Sequence, residues 1–450
     1  MIPKYTLKRI SKVTGGILVG KDLPIEDVSI DSRQIKEGSL YVALKGNNFD
    51  GHNFIDEALY NGASAFVSEK EFNSLGSYIK VDDGYTFLYR LGQIQRNLFV
   101  GKSICITGSN GKTSTKEIIS QILAKISDTH ATFGNQNNIL GLSLTLLGLK
   151  ENHNFLVTEI GTNQKGEIQE LSSIVKPDLA IITNVAHAHV EKLGSLEDIA
   201  LEKGDILNSL DQEGIGILPR DSSFYNLWKQ NLGNRKLVTF GMHKNSDLRI
   251  SSISVDVIRS RTSFHISYLG KETVCRINAI GAHNALNACA ALAAISLLDI
   301  DWDVALKAIE DVIFPPRRLT LMRGINDSIL VDDSYNANPD SVKLALDEIS
   351  RVGDFIKIFI AGEMRELGKN EKDYHQEVLK YAKDKVDEIW CVGTLWKDSC
   401  NMKIKRISFF NNNEELLDYA TTRIDNNYLV LLKGSHSSLI DVIADGLKKN

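Results

Sequence analysis

The stretch Ile104-Cys105-Ile106-Thr107-Gly108-Ser109-Asn110-Gly111-Lys112-Thr113-Ser114 constrains this chain more than any other. An apolar run, a glycine turn and the start of an amphipathic segment predict a strand, a loop and a helix. Such a unit aims backbone N–H groups and one lysine at a phosphate. Gly108 and Gly111 can adopt the positive φ that lets phosphate approach the backbone of Ser109 and Asn110. Lys112 is then placed to reach the β- and γ-phosphates of a nucleoside triphosphate, and the Thr113 hydroxyl to sit on Mg²⁺. Ile118, Ile119, Ile122, Leu123 and Ile126 recur at helical spacing, so the helix would present its positive dipole end to the ligand. The general phosphate-loop pattern wants a glycine where Ile106 stands, so the glycine spacing is short.

With 450 residues the chain has room for about three domains. Its 43% hydrophobic and 24% charged residues are ordinary for a soluble globular protein. A net charge of −5 without a basic stripe argues against nucleic acid as a partner. No apolar run is long enough to span a bilayer, and the first residues lack a signal-peptide core. The five cysteines form no Cys-x-x-Cys pair, which favours buried thiols and a cytoplasmic location over a disulfide framework or a zinc site.

Residues 1–100 hold short strand-like runs such as Ser39-Leu40-Tyr41-Val42-Ala43-Leu44 and no phosphate loop. Residues 101–314 alternate apolar strands with amphipathic helices, including Phe155 to Thr158, Leu179 to Thr183 and a helix from Asn284 to Leu298. Pro315-Pro316 breaks the chain. Residues 315–450 alternate again, through Ile329 to Val331, Lys357 to Gly362, Glu388 to Gly393 and Leu429 to Gly434. This pattern predicts an α/β chain of mostly parallel sheets covered by helices, with a Rossmann-like C-terminal domain.

Ligands in such sheets gather at the carboxyl ends of strands. Glu159 and His189 sit there, and a carboxylate beside an imidazole could ligate Mg²⁺. A solvated strand-end acid accounts for Glu159 equally well, and His187 competes with His189. Lys203, on its own, reads as a solvated helix lysine.

Taken together, the motifs resemble the Mur ligase family of ATP-dependent amide-forming enzymes, over nearly the whole chain. Thr107 to Thr113 is similar to the family's phosphate loop, which accounts for the short spacing. Gly134-Asn135-Gln136-Asn137-Asn138 resembles a muramoyl-substrate segment, and Ala188-His189-Val190-Glu191 with Glu202-Lys203-Gly204-Asp205 the metal region. Gly281-Ala282-His283-Asn284 resembles the adenine-side motif. Asp332-Asp333-Ser334-Tyr335-Asn336-Ala337-Asn338-Pro339 resembles the member that adds D-alanyl-D-alanine to UDP-N-acetylmuramoyl-tripeptide.

The resemblance implies three domains: an N-terminal UDP-substrate domain, a central P-loop ATPase-like domain and a C-terminal Rossmann-like domain. It implies ATP, Mg²⁺ and an acyl-phosphate intermediate, and nothing in the sequence demands more than a monomer. Lys203 becomes a carbamylated lysine that, with Glu159 and His189, holds a second Mg²⁺. Arg318, with Arg317 as the alternative, becomes a phosphate contact; Asp333 and Asn284, with His283 beside it, lie at the nucleotide. Asp31, Ser32, Arg33, Gly46, Phe49, Asp50 and Asn138 fall to the UDP-sugar substrate. The family usually reads Lys-Gly-Ser-Arg near its C-terminus, where this chain has Lys433-Gly434-Ser435-His436. Asp205 and Asp441 stand where glutamate is usual.

Overall fold

The structure, a computed structural model, describes residues 5–46, 48–73, 76–400 and 406–449; residues 1–4, which entered the targeting argument, lie outside the described residues. Two compact units interleave along the sequence. Met1–Cys105, Leu123–Gly161 and Gln169–Asp178 make the first, and Ile106–Ile122, Thr162–Ile168 and Leu179–Asn450 the second. The architecture is α/β and rich in parallel strands, as the alternation predicts.

The first unit is built on a five-stranded sheet in the order Ile17–Val19, Tyr78–Lys80, Ala63–Ser68, Ser39–Val42, Asp27–Ser29. All its neighbours are parallel except the first pair. Side chains alternate across a strand, so successive residues serve opposite cores. Leu40, Val42, Ala65 and Val67 pack with Leu7, Ile10, Phe87, Leu88 and Leu91 from the helices Leu7–Thr14 and Gly84–Leu98. Tyr41, Ala43 and Phe66 pack on the other face with Ile55 and Ala58. Burial on both faces explains why these strands read as continuous apolar runs. The helix Ile139–Leu147 adds Leu147 to the first core, and the strands Thr129–Ala131 and Phe155–Glu159 pair in parallel.

In the second unit, Leu179–Ile182, Ile215–Pro219 and Lys236–Gly241 run parallel. Leu248–Asp256, Arg261–Tyr268 and Lys271–Ile277 continue them as an antiparallel meander. The helix Ala282–Ile295 packs on these strands; its alanines carry no bulk, so it lies close to the sheet. A six-stranded sheet follows, in the order Thr320–Arg323, Ile329–Asp332, Tyr428–Lys433, Ile356–Ala361, Glu388–Val392, Ile407–Phe410. Its first pair is antiparallel and the rest are parallel. Val331, Phe359, Ile389 and Leu431 face the helices Pro339–Ser350 and Glu371–Ala382, whereas Leu330, Ile360, Trp390 and Val430 face Asn413–Arg423 and Ile440–Leu447. The last strand in sequence lies between the second and third, so the carboxyl ends of Ile329–Asp332 and Tyr428–Lys433 open beside each other at a change in strand order.

The predicted strands stand within a residue or two at each end. The helix after the phosphate loop runs Lys112–Ala124, so Ile126 lies beyond it and is 41% exposed rather than on its apolar face. The helix expected to reach Leu298 ends at Ile295, after which Leu297 and Leu298 close tight turns onto Ala294 and Ile295.

Candidate functional site

The phosphate loop has the backbone its glycines were expected to provide. Gly108 has φ +154° and Gly111 φ +80°. A Cβ on Gly108 would stand 1.8 Å from Thr183 Oγ1, and one on Gly111 2.2 Å from Asn287 Oδ1. The loop leans on the segment that follows Leu179–Ile182. Ser109 N donates to Asn184 O at 3.0 Å, Asn110 N to Asn184 Oδ1 at 2.9 Å, and Thr183 Oγ1 to Asn110 O at 2.6 Å. Ser109 Oγ donates to Ala186 O at 3.1 Å. Lys112 opens the helix Lys112–Ala124, and its Nζ donates to Gly108 O at 2.8 Å, so the ammonium sits over the loop. Thr113 and Ser114 are buried in the first turn.

Arg318, and not Arg317, reaches this loop. Arg318 donates to Thr113 Oγ1 at 3.0 Å and stacks its guanidinium 4.1 Å from the Tyr335 ring centroid. Arg317 turns away to Asp441 and Asp445 on the C-terminal helix. Asp333 accepts from Lys433 Nζ at 2.6 Å and from Leu319 N at 3.2 Å, which fixes its carboxylate at the carboxyl end of Ile329–Asp332. Asn284 is buried, donating to Ile280 O at 2.9 Å and accepting from Asn287 at 3.1 Å. His283 beside it is pushed down to about 4, by burial first and then by the charges of Lys433 and Arg318, against the opposing pull of Asp333. It is a neutral imidazole at physiological pH.

Lys203 ends the helix Leu196–Gly204 and is only 2% exposed, so the reading of it as a solvated surface lysine does not hold. Burial lowers its pKa to about 7, helped by the charge of Lys112 and opposed by Glu202. Glu202 itself accepts from Gly166 N at 2.7 Å and Ile168 N at 2.9 Å, which anchors the Thr162–Ile168 segment. His189 stands in the left-handed region at φ +58°, and its Nδ1 lies 2.6 Å from Glu366 Oε2. Glu366 is also left-handed at φ +63°, and that contact lowers its carboxyl pKa against the opposing effect of burial. His187 turns instead to Asp340. His187, His189, Asn338, Arg365, Glu366 and His436 line a pocket of about 280 Å³ in this unit. His436, the residue that departs from the family pattern, therefore faces the pocket.

In the first unit, Glu159 closes its strand at 2% exposure. Its Oε1 accepts from Asn137 Nδ2 at 2.9 Å, while its Oε2 has no hydrogen-bond partner among the described residues. A buried carboxylate oxygen left open in this way suits a hard cation. Asn138 Oδ1 accepts from Gly141 N at 2.9 Å and so caps the helix Ile139–Leu147. Asp31 caps the turn Ser32–Gln34 and holds Arg33 through both oxygens, at 2.9 and 2.8 Å. Ser32 donates to Glu57. Asp50 caps Gly51–Phe54 and takes contacts from His52 and Lys70. A Cβ on Gly46 would stand 2.8 Å from the Phe49 ring, which is 58% exposed. Buried Tyr41 donates to Gly51 O at 2.9 Å, and burial and the charges of Asp31, Glu57 and Asp50 push its phenol up to about 12.

Several contacts escaped the sequence reading. Asn184 holds the phosphate loop, and its place just past a parallel strand's carboxyl end was a usable signal. Asn338 donates to Asn110 Oδ1 at 2.9 Å, and Asn137 holds Glu159; neither contact has a local signature. Among the described residues no three His, Cys, Asp or Glu side chains gather as a metal-ligand set.

Comparison with known proteins identifies the family. Three family models match: Mur ligase family, catalytic domain, over residues 24–84; Mur ligase middle domain over 106–295; and Mur ligase, glutamate ligase domain, over 317–436. The UDP-N-acetylmuramoyl-tripeptide–D-alanyl-D-alanine ligase of Buchnera aphidicola is 32% identical, over 98% of this chain and 98% of its own. A crystal structure of MurF from Acinetobacter baumannii superposes with a TM-score of 0.90 at 26% identity, covering 99% of this chain and 98% of that one. A MurF ligase from Thermotoga maritima, solved in complex with ADP, gives 0.81 at 26% identity over 94% and 96%.

Proposed function

Because the chain belongs to the Mur ligase family, we propose that it joins D-alanyl-D-alanine to UDP-N-acetylmuramoyl-tripeptide, converting ATP to ADP and phosphate. The observation that carries this reading is the full-length similarity to ligases bearing that name, together with a phosphate loop built from Gly108 to Thr113. The tripeptide's terminal carboxylate attacks the γ-phosphorus of ATP, and ADP leaves. The amine of the dipeptide then attacks the acyl phosphate's carbonyl carbon, and phosphate departs as the amide forms. Negative charge grows on the phosphoryl oxygens in the first step, where the loop N–H groups, Lys112 and Arg318 would stabilise it. Asp333 and Asn284, with the neutral His283, would hold the nucleoside.

Magnesium would neutralise phosphate charge and orient the carboxylate. Thr113 would hold one ion at the phosphates, and Glu159, His189 and carbamylated Lys203 a second. The open Oε2 of Glu159 supports this, and so does Lys203: an amine that deprotonates near pH 7 can add CO₂, and the carbamate supplies the carboxylate that an ammonium cannot. Residues 1–100 would take the UDP-sugar end through Asp31, Ser32, Arg33, Gly46, Phe49 and Asp50, with Asn138 completing the site. Residues 101–314 would take ATP, and 315–450 would close over it. As an extension of the ligase reading we propose a cytoplasmic location and a monomer. No helix among the described residues is long and apolar enough to cross a membrane.

The test is mass spectrometry of the protein with ATP, Mg²⁺ and the UDP-muramoyl tripeptide, with and without D-alanyl-D-alanine. The expected product is the UDP-muramoyl pentapeptide, formed only with the dipeptide. ATP consumed with another amine and no pentapeptide would assign a sister ligase instead.

A further inference from the structure

We propose that Asp340 is a positioning residue that acts through His187 to hold the segment from Asn184 to His189 in register with the phosphate loop. The proposal rests on the ligase reading. Asp340 lies in the first turn of the helix Pro339–Ser350, where a carboxylate is favoured by the helix dipole. Its Oδ2 accepts from His187 N at 3.0 Å and lies 2.9 Å from His187 Nδ1, across a sequence separation of 153 residues. One oxygen thus holds both the main chain and the ring of His187. The segment cannot slide or the ring turn without breaking a contact. The ring also meets Tyr374, with centroids 5.4 Å apart.

What His187 secures is the support of the nucleotide site. Ala186 O accepts from Ser109 Oγ, and Asn184 accepts from the backbone N–H of Ser109 and Asn110. His189 follows two residues later, with Nδ1 against Glu366. The same helix end grips the loop a second time: Asn338, its N-cap, donates to Asn110 Oδ1 at 2.9 Å. The start of Pro339–Ser350 therefore reads the phosphate loop at two points, once directly and once through His187. This gives His187 a task distinct from that of His189, although the two histidines compete in the sequence.

The experiment is a double-mutant cycle in the full chain, with kcat and KM for ATP read together with binding of a fluorescent ADP analogue. Asp340→Ala is expected to lower kcat/KM for ATP by about 10- to 100-fold, the scale of a small misplacement at a remote support. Asp340→Asn keeps an acceptor for the His187 N–H and should restore most of that loss. His187→Ala leaves its main-chain N–H on Asp340 and should cost less than Asp340→Ala, and the two together no more than Asp340→Ala alone. Losses that multiply in the double variant would overturn the proposal. So would an Asp340→Ala protein that melts earlier but keeps wild-type kcat and KM, since that is a purely structural role. Should Asp340→Ala fail to fold, His187→Ala is read against wild type: a clear loss in kcat/KM for ATP supports the clasp, and wild-type kcat and KM overturn it. Wild-type protein that makes no amide would instead defeat the ligase reading, and nucleotide binding by the variants would still decide the clasp.

Discussion

A lysine buried at 2% exposure whose amine deprotonates near pH 7 is costly to keep protonated, and Lys203 is such a residue. Its neutral form is the one that adds CO₂, so carbamylation should rise as pH rises through 7. Protein equilibrated with ¹³C-bicarbonate should show a carbamate carbon resonance that is absent from Lys203→Ala. That variant should lose about 10²-fold or more in turnover, with partial recovery in a short carboxylic acid at high concentration. Near-normal rates without the acid would sink the carbamate. His283 makes a second prediction. Its folded pKa, about 4, lies below the ordinary histidine value of about 6.5, so between those values the unfolded chain binds the extra proton. Stability should therefore be lost as pH falls from about 6.5 to 4, and His283→Gln should flatten the melting temperature over that window. These behaviours were not legible in the sequence. Burial created them, and it comes from elements far apart in the chain. Arg318 stood ahead of Arg317 only through the family resemblance; the structure sends Arg318 to Thr113 Oγ1 and Arg317 to Asp441 and Asp445.

At the scale of elements, local pattern carried more. Contiguous apolar runs marked the parallel strands because both faces of each sheet are covered, and the glycine–lysine turn marked the loop because few backbones accept a phosphate. Boundaries slipped where tight turns follow a helix, as at Ile126 and Leu298. Asn138 shows a partial reading: an asparagine before an apolar helix is a cap signal, and the cap takes half of its side chain. What no local pattern reveals is which loop a strand end will lean on, and Asn184 beneath the phosphate loop is the instance that matters. The loop's tolerance is correspondingly small. Gly111→Ala would force a Cβ to 2.2 Å from Asn287 Oδ1 at φ +80°. Asn287 is itself bonded to Asn284, so it cannot swing away without loosening Asn284, which we propose lies at the nucleoside. The strain is of order 1–3 kcal/mol, which the fold survives. ATP binding, measured by titration calorimetry, should fall by more than tenfold while the far-ultraviolet circular dichroism stays unchanged. Wild-type affinity in Gly111→Ala would show that the loop reshapes on binding.

For the molecule as a whole, the interleaving of the two units separates what a segment binds from what it can fold without. Residues 1–100 carry every proposed UDP-sugar contact except Asn138, yet their core is finished by later chain. The helix Gly84–Leu98 packs against Ile139–Leu147, with Leu147 inside the same core and Gly92 close enough that a Cβ would stand 3.3 Å from the Ser143 backbone. Buried Gln95 donates to Leu149 O, and buried Arg96 to Val175 O, Lys176 O and Ser103 Oγ. Cutting after residue 100 would strip both side chains of these partners, at about 1–3 kcal/mol for each buried group left unmatched. It would also bare an apolar helix face at about 1.5–3 kcal/mol per large side chain. A domain of that size holds only about 5–15 kcal/mol in total. The isolated 1–100 fragment should therefore show helical circular dichroism without a cooperative thermal transition, and should bind dye that reports exposed apolar surface. Arg96→Ala in the full chain should lower stability by about 2–4 kcal/mol for the same reason. If instead the fragment melted cooperatively at the full chain's midpoint, the contacts of Leu147, Gln95 and Arg96 would be incidental, and the limit at residue 100 would mark a unit of folding as well as of binding.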